Sequence, residues 1–171
     1  MIEVVTAHRR LLFAIILLVF LLVQVGVATE ISVGSVKPDI LLVATICWAL
    51  LEGPSRGALF GFFGGLLEDA FTTAVMGVGA FAKTLMGYLS GELRQRIVSK
   101  SVVWPAVIVF FGSILHELIK FATWAMVGME NRPPFSFGII AGLALYNALL
   151  TVVVYPLLAR FSTGEERAMM F

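Results

Sequence analysis

Repeated apolar runs, broken only by glycine, proline and a few charges, constrain this chain more than any other feature. Of its 171 residues 60% are hydrophobic and only 13% are charged. That charge content is about half the share usual in a soluble domain. There is too little polar material to coat a water-soluble globule of this size. A soluble enzyme, a disordered chain and a nucleic-acid binder with a basic face are excluded, the last also by a net charge of +1. The runs fit a polytopic membrane protein in contact with the lipid bilayer. Strict apolar/polar alternation is absent, so the spans read as helices and not as barrel strands. The single cysteine, Cys47, excludes an internal disulfide.

The pattern predicts one all-α domain over residues 1–171 with six transmembrane helices. They run from about Leu11 to Ala28, Pro38 to Leu51, Gly57 to Phe71, Met76 to Leu93, Ser101 to Met129 and Phe135 to Arg160. Gly53-Pro54-Ser55-Arg56-Gly57 and Asn131-Arg132-Pro133-Pro134 read as turns. Pro156 lies inside the sixth helix. The second and third runs are short for a ~30 Å hydrocarbon core. A re-entrant hairpin would place Glu52 and Arg56 at its buried tip, a costly site for charge, so two short spans across a thinned bilayer are preferred. The first run follows the basic His8-Arg9-Arg10, but its apolar core is longer than the ~7–15 residues of a signal peptide, so it reads as a retained span.

Lys and Arg set the direction. With the N-terminus inside, Arg9, Arg10, Arg56, Arg94, Arg96, Lys100, Arg160 and Arg167 face the cytoplasm, against Lys37 and Arg132 outside. N-in, C-in and an even number of spans follow. Trp104 and Trp124 bracket the fifth helix at its interfaces, and Trp48 is placed near the inner end of the second. Tails of about ten residues and short loops leave no room for a soluble domain.

Two patterns stand out inside the spans. Gly57, Gly61 and Gly65 recur every four residues, with Asp69 continuing the face; Gly79, Lys83, Gly87 and Gly91 do the same on the next helix, and Gly138 and Gly142 form a shorter pair. Small residues at this spacing let helix backbones approach closely in lipid, either within one bundle or in a homodimer. The second pattern is intramembrane ionisable groups: Asp69, Lys83, His116, Glu117 and Lys120, with Asn147 at similar depth. Lys83–Glu117 and Asp69–Lys83 are the expected pairs. The plain reading is structural ion pairing with snorkelling lysines. An outward cavity or a proton-coupled path are the alternatives.

Catalytic readings fail on spacing. His116-Glu117 resembles half a zinc motif, but Lys120 stands where the second histidine is needed. Ser113 and His116 share one helix, no GxSxG elbow exists, and there is neither a phosphate loop nor a dinucleotide fingerprint. No cofactor and no metal are expected.

Lys37-Pro38-Asp39-Ile40-Leu41-Leu42, Trp48-Ala49-Leu50, the stretch Gly57-Ala58-Leu59-Phe60-Gly61-Phe62-Phe63-Gly64-Gly65-Leu66-Leu67-Glu68-Asp69, Met76-Gly77-Val78-Gly79-Ala80-Phe81 and Leu85-Met86-Gly87-Tyr88-Leu89 together resemble MreD, the rod shape-determining membrane protein of bacteria. The motifs cover roughly residues 37–96, with Pro38-Asp39 and the glycine–aspartate helix the most specific. The last two helices match in hydropathy only, and the His116-Glu117-Lys120 cluster is not carried by the resemblance. The resemblance implies a non-enzymatic inner-membrane component of the cell-elongation complex. Its implied partners are MreC directly, and MreB, RodA and a class B penicillin-binding transpeptidase at the level of the complex. It also implies a fold like the substrate-binding subunits of energy-coupling-factor transporters. The alternative is such a subunit for a vitamin. The first helix leans against that, because Leu11 to Phe20 holds only Ala14 as a small residue for docking a coupling protein.

Overall fold

The computed structural model describes residues 2–26, 30–32, 36–72, 75–94, 101–128 and 136–162, with side chains from Leu11 onward. Among these residues six helices follow one another: α1 Ile2–Gly26, α2 Ile40–Glu52, α3 Pro54–Phe71, α4 Val78–Leu93, α5 Val103–Val127 and α6 Phe137–Ala159. The sequence placed the start of α1 at Leu11. It begins nine residues earlier because nothing between Ile2 and Arg10 breaks a helix. The expected turn Gly53–Gly57 also shortens. Gly53 alone makes it, at φ +96°, and Pro54 starts α3, where its fixed φ suits the first helical position and its missing N–H costs nothing. The expected turn at Asn131–Pro134 lies outside the described residues.

The arrangement is built around α2. All twelve residues from Ile40 to Leu51 are buried, and α2 packs against α1, α3, α4, α5 and α6. An apolar helix enclosed on every side shows no amphipathic stripe, and its one polar residue before Glu52, Thr45, donates its hydroxyl to the Leu41 carbonyl at 2.8 Å. Trp48, placed at an interface by the sequence, is instead a core residue. Its ring lies 6.4 Å from Phe13 and 6.0 Å from Phe60, tying α1, α2 and α3. Trp104 is 54% exposed at the start of α5, as an interfacial residue should be.

α3 and α4 form the tightest pair. A Cβ at Gly57 would meet the Gly87 carbonyl, at Gly61 the Lys83 carbonyl, at Gly65 the backbone of Gly79 and Ala80, and at Gly91 the backbone of Pro54. The two stripes therefore run antiparallel, backbone on backbone. Both stripes pack on each other within one chain, the first of the two arrangements that their spacing allows. On α6, Gly142 faces Val36, while a Cβ at Gly138 would meet nothing within 4 Å among the described residues.

α5 and α6, 25 and 23 residues long, are the two described helices long and apolar enough to cross a membrane by length and composition. Only 22% of the apolar window of each is buried within the chain, the reverse of a soluble core helix. Leu115, Leu118, Leu145, Leu149 and Val153 are among the large apolar side chains they expose. The threonine hydroxyls on these helices are satisfied locally: Thr123 donates to the Ile119 carbonyl and Thr151 to the Asn147 carbonyl.

Gly61→Leu is expected to separate α3 from α4, because its side chain meets backbone that cannot rotate away. The cost should lie at or above the upper end of the ~1–3 kcal/mol of ordinary overpacking. Thermal unfolding in detergent should show it, whereas Leu59→Ala, on the exposed face, should leave the midpoint nearly unchanged.

Candidate functional site

The N-terminus of α2 lies inside the protein, so its orphan amides need side-chain partners. Asp39 is its N-cap: Oδ1 accepts from the Leu42 N–H at 2.8 Å. Gln24 of α1 reaches across, its Oε1 accepting from the N–H of Ile40 at 2.8 Å and of Leu41 at 3.4 Å. The Asp39 N–H donates to Asn147 Oδ1 at 3.0 Å, and Asn147 Nδ2 donates to Ser113 Oγ at 3.0 Å. Helices α1, α2, α5 and α6 thus meet around one helix end.

Lys83 completes the site from α4. Its ammonium donates to Asp39 Oδ2 at 2.8 Å and lies 2.7 Å from Glu68 Oε2 on α3. The lysine side chain is 3% exposed. One cation set between two carboxylates leaves the triad a formal charge of −1. The expected Lys83–Glu117 and Asp69–Lys83 pairs do not form. Asp69 is spent on backbone, its Oδ2 accepting from the N–H groups of Gly77 at 2.9 Å and Ala80 at 3.1 Å, which caps the entry to α4. The Gly79 backbone lies directly against Asp69 Oδ1, a place a side chain would fill. Glu117 pairs along its own helix with Lys120 at 2.9 Å. The Lys120 ammonium stands 5.3 Å from the Trp124 ring centroid.

The intramembrane groups expected to meet as one cluster therefore divide into three: Asp39–Lys83–Glu68 with Asn147 behind it, Asp69 at the α3–α4 turn, and His116–Glu117–Lys120 along α5. His116 is fully buried with Nδ1 3.4 Å from Glu117 Oε1, and among the described residues neither ring nitrogen has a hydrogen-bond partner. At the opposite end of α2, Glu52 pairs with Arg56 and accepts from Ser162 Oγ at 2.9 Å. Among the described residues no three His, Cys, Asp or Glu groups converge as a metal site.

Two members of the network were not singled out from the sequence. Gln24 is the one hydrogen-bonding side chain between Leu11 and Ala28, which is itself a signal, since a lone amide in an apolar span needs a buried partner. Glu68 stands in the sequence only as part of the Gly57–Asp69 motif, beside Asp69. Being one residue apart turns the two carboxylates toward different partners.

The site is a set of satisfied ties between helices, built on the residues that open α2 and line α3 and α4. The family model described as rod shape-determining protein MreD matches residues 6–163. The chain belongs to the MreD family. No curated protein matches the chain, and no solved structure does. The matched region runs from within α1 to the end of α6, so the charge network lies wholly inside it. This MreD-family chain is accordingly a membrane protein with a part in determining rod shape, and the match lends the vitamin-transporter alternative no support.

Lys83→Ala would strand two carboxylates, and breaking a buried pair costs about 3–5 kcal/mol. Adding Glu68→Gln should recover part of that loss. A double-mutant cycle of Lys83 with Glu117 should instead be additive within about 0.5 kcal/mol, because the two have different partners. Unfolding midpoints of the purified variants in one detergent provide the measurement.

Proposed function

We propose that this chain is a six-span, N-in/C-in subunit of the bacterial inner membrane that acts by binding within the rod complex. MreC is its direct partner, and through that contact it influences RodA, the class B penicillin-binding transpeptidase and MreB during peptidoglycan synthesis. The family match across 158 positions (6–163) carries the reading. The geometry supports it: the polar groups inside the bundle tie helices together, which suits a rigid docking platform better than a reaction centre. The fold is proposed to be of the energy-coupling-factor substrate-subunit type, put to use in assembly and not in uptake.

Two zones are available to a bitopic partner such as MreC. One is an exposed apolar helix face, where packing supplies affinity. The other is the outer rim from Glu30 to Asp39 together with Met129 to Pro134, where polar groups set specificity; the second of these segments lies outside the described residues. The Tyr146 hydroxyl donates to the Ile31 carbonyl at 2.9 Å, which ties the first part of the rim to α6.

Depletion of the protein should round rod-shaped cells, and a tagged copy co-expressed with its MreC should retain it through detergent purification. Isolation of the chain alone under those conditions would contradict the reading. Sidedness is checked separately in a Cys47→Ala background. Cysteines at the exposed Ser55 and Ser101 should react with an impermeant maleimide only from the cytoplasm, and one at Ser32 only from outside.

A further inference from the structure

A groove of about 470 Å³ between α5 and α6 lies apart from the charge network, and every residue lining it is apolar. Half-buried Ala106 and Ala148 lie between Val103, Phe111 and Val152, each more than half exposed. Small residues flanked by large ones make a furrow. It runs from Val102 to Phe111, ~14 Å of helix at 1.5 Å per residue. That is about half of the ~30 Å hydrocarbon core, the depth of one leaflet. A partner's membrane helix would pack through the full thickness, whereas an acyl chain occupies one leaflet only.

The groove's end decides the headgroup. Asn147 bonded to Ser113 sets the register of α5 against α6, which brings the start of α5 level with the end of α6. Arg160 is the C-cap residue there, exposed and without an ion-pair partner among the described residues. In the first turn of α5 the Ser101 Oγ accepts from the Val103 N–H at 3.3 Å and Val102 supplies no cap, and the positive dipole end of the helix faces the same level. Exposed Trp104 marks the interface.

We propose that this groove holds one acyl chain of an anionic glycerophospholipid of the cytoplasmic leaflet, with Arg160 facing the headgroup charge. The leaflet rests on the N-in/C-in reading above; the lipid preference does not. Anionic lipids are concentrated on the cytoplasmic side, and one arginine near the headgroups is worth about 1 kcal/mol, roughly a fivefold preference.

The test uses delipidated full-length protein in detergent, carrying Cys47→Ala and Val107→Cys labelled with bimane. Dibrominated phosphatidylglycerol should quench at about fivefold lower mole fraction than dibrominated phosphatidylcholine. Arg160→Gln should abolish the preference, and Ala148→Phe should weaken quenching by both lipids. A bimane at exposed Leu145, outside the groove, should show no preference and requires no filling of the furrow. Equal quenching by the two lipids at Val107, the same preference at Leu145, or shielding of Val107 from both lipids by co-expressed MreC would overturn the proposal. The lipid comparison needs no partner and no sidedness, and only the shielding arm uses MreC, so loss of the lipid preference leaves the rod-complex reading standing, and a failed MreC co-purification leaves the lipid preference standing.

Discussion

Backbone contact between α3 and α4 is the constraint from which the rest of the structure follows. Because Gly61 lies on the carbonyl of Lys83, the lysine is held where its side chain reaches both Asp39 and Glu68. Any larger residue at Gly57, Gly61, Gly65 or Gly87 would move α4 outward and carry the ammonium away from its carboxylates. Close packing in lipid, where no hydrophobic force draws helices together, thereby sets the position of the buried charge.

That charge in turn organises α2. A short helix that begins inside a protein exposes amides to an environment without water, and several kcal/mol rides on each unmet polar group. Gln24 takes two of these amides, Asp39 one and Asn147 that of Asp39 itself, from three different elements, and Lys83 pairs with the Asp39 carboxylate. The Pro38-Asp39 pair, which carries much of the family resemblance, has a physical role on this account. Asp39 is at once the N-cap of the central helix and the acceptor of the buried lysine.

Six helices, their order and the close α3–α4 stripes were legible in the chain because hydropathy and four-residue spacing are local properties. Helix ends were less so. Pro54 begins α3 instead of sitting in a turn, and α1 extends back through Arg9 and Arg10. Residue depth alone paired Lys83 with Glu117, but depth says nothing of azimuth. On α5, Glu117 is three residues from Lys120 and is taken by it. Trp48 looked interfacial for the same reason, until the other helices closed around α2.

The sequence by itself determined an apolar helical bundle in a membrane, the glycine stripes and the MreD-family membership, since composition and motif spacing survive any arrangement of helices. Only the tertiary structure decided which carboxylates hold Lys83, that Asp69 caps a helix, and that α2 lies at the centre. Those outcomes depend on how each helix is rotated about its axis and on which neighbours arrive first at a given face. Partners separated by 44 residues, as Asp39 and Lys83 are, are selected by packing and carry no mark in the local pattern.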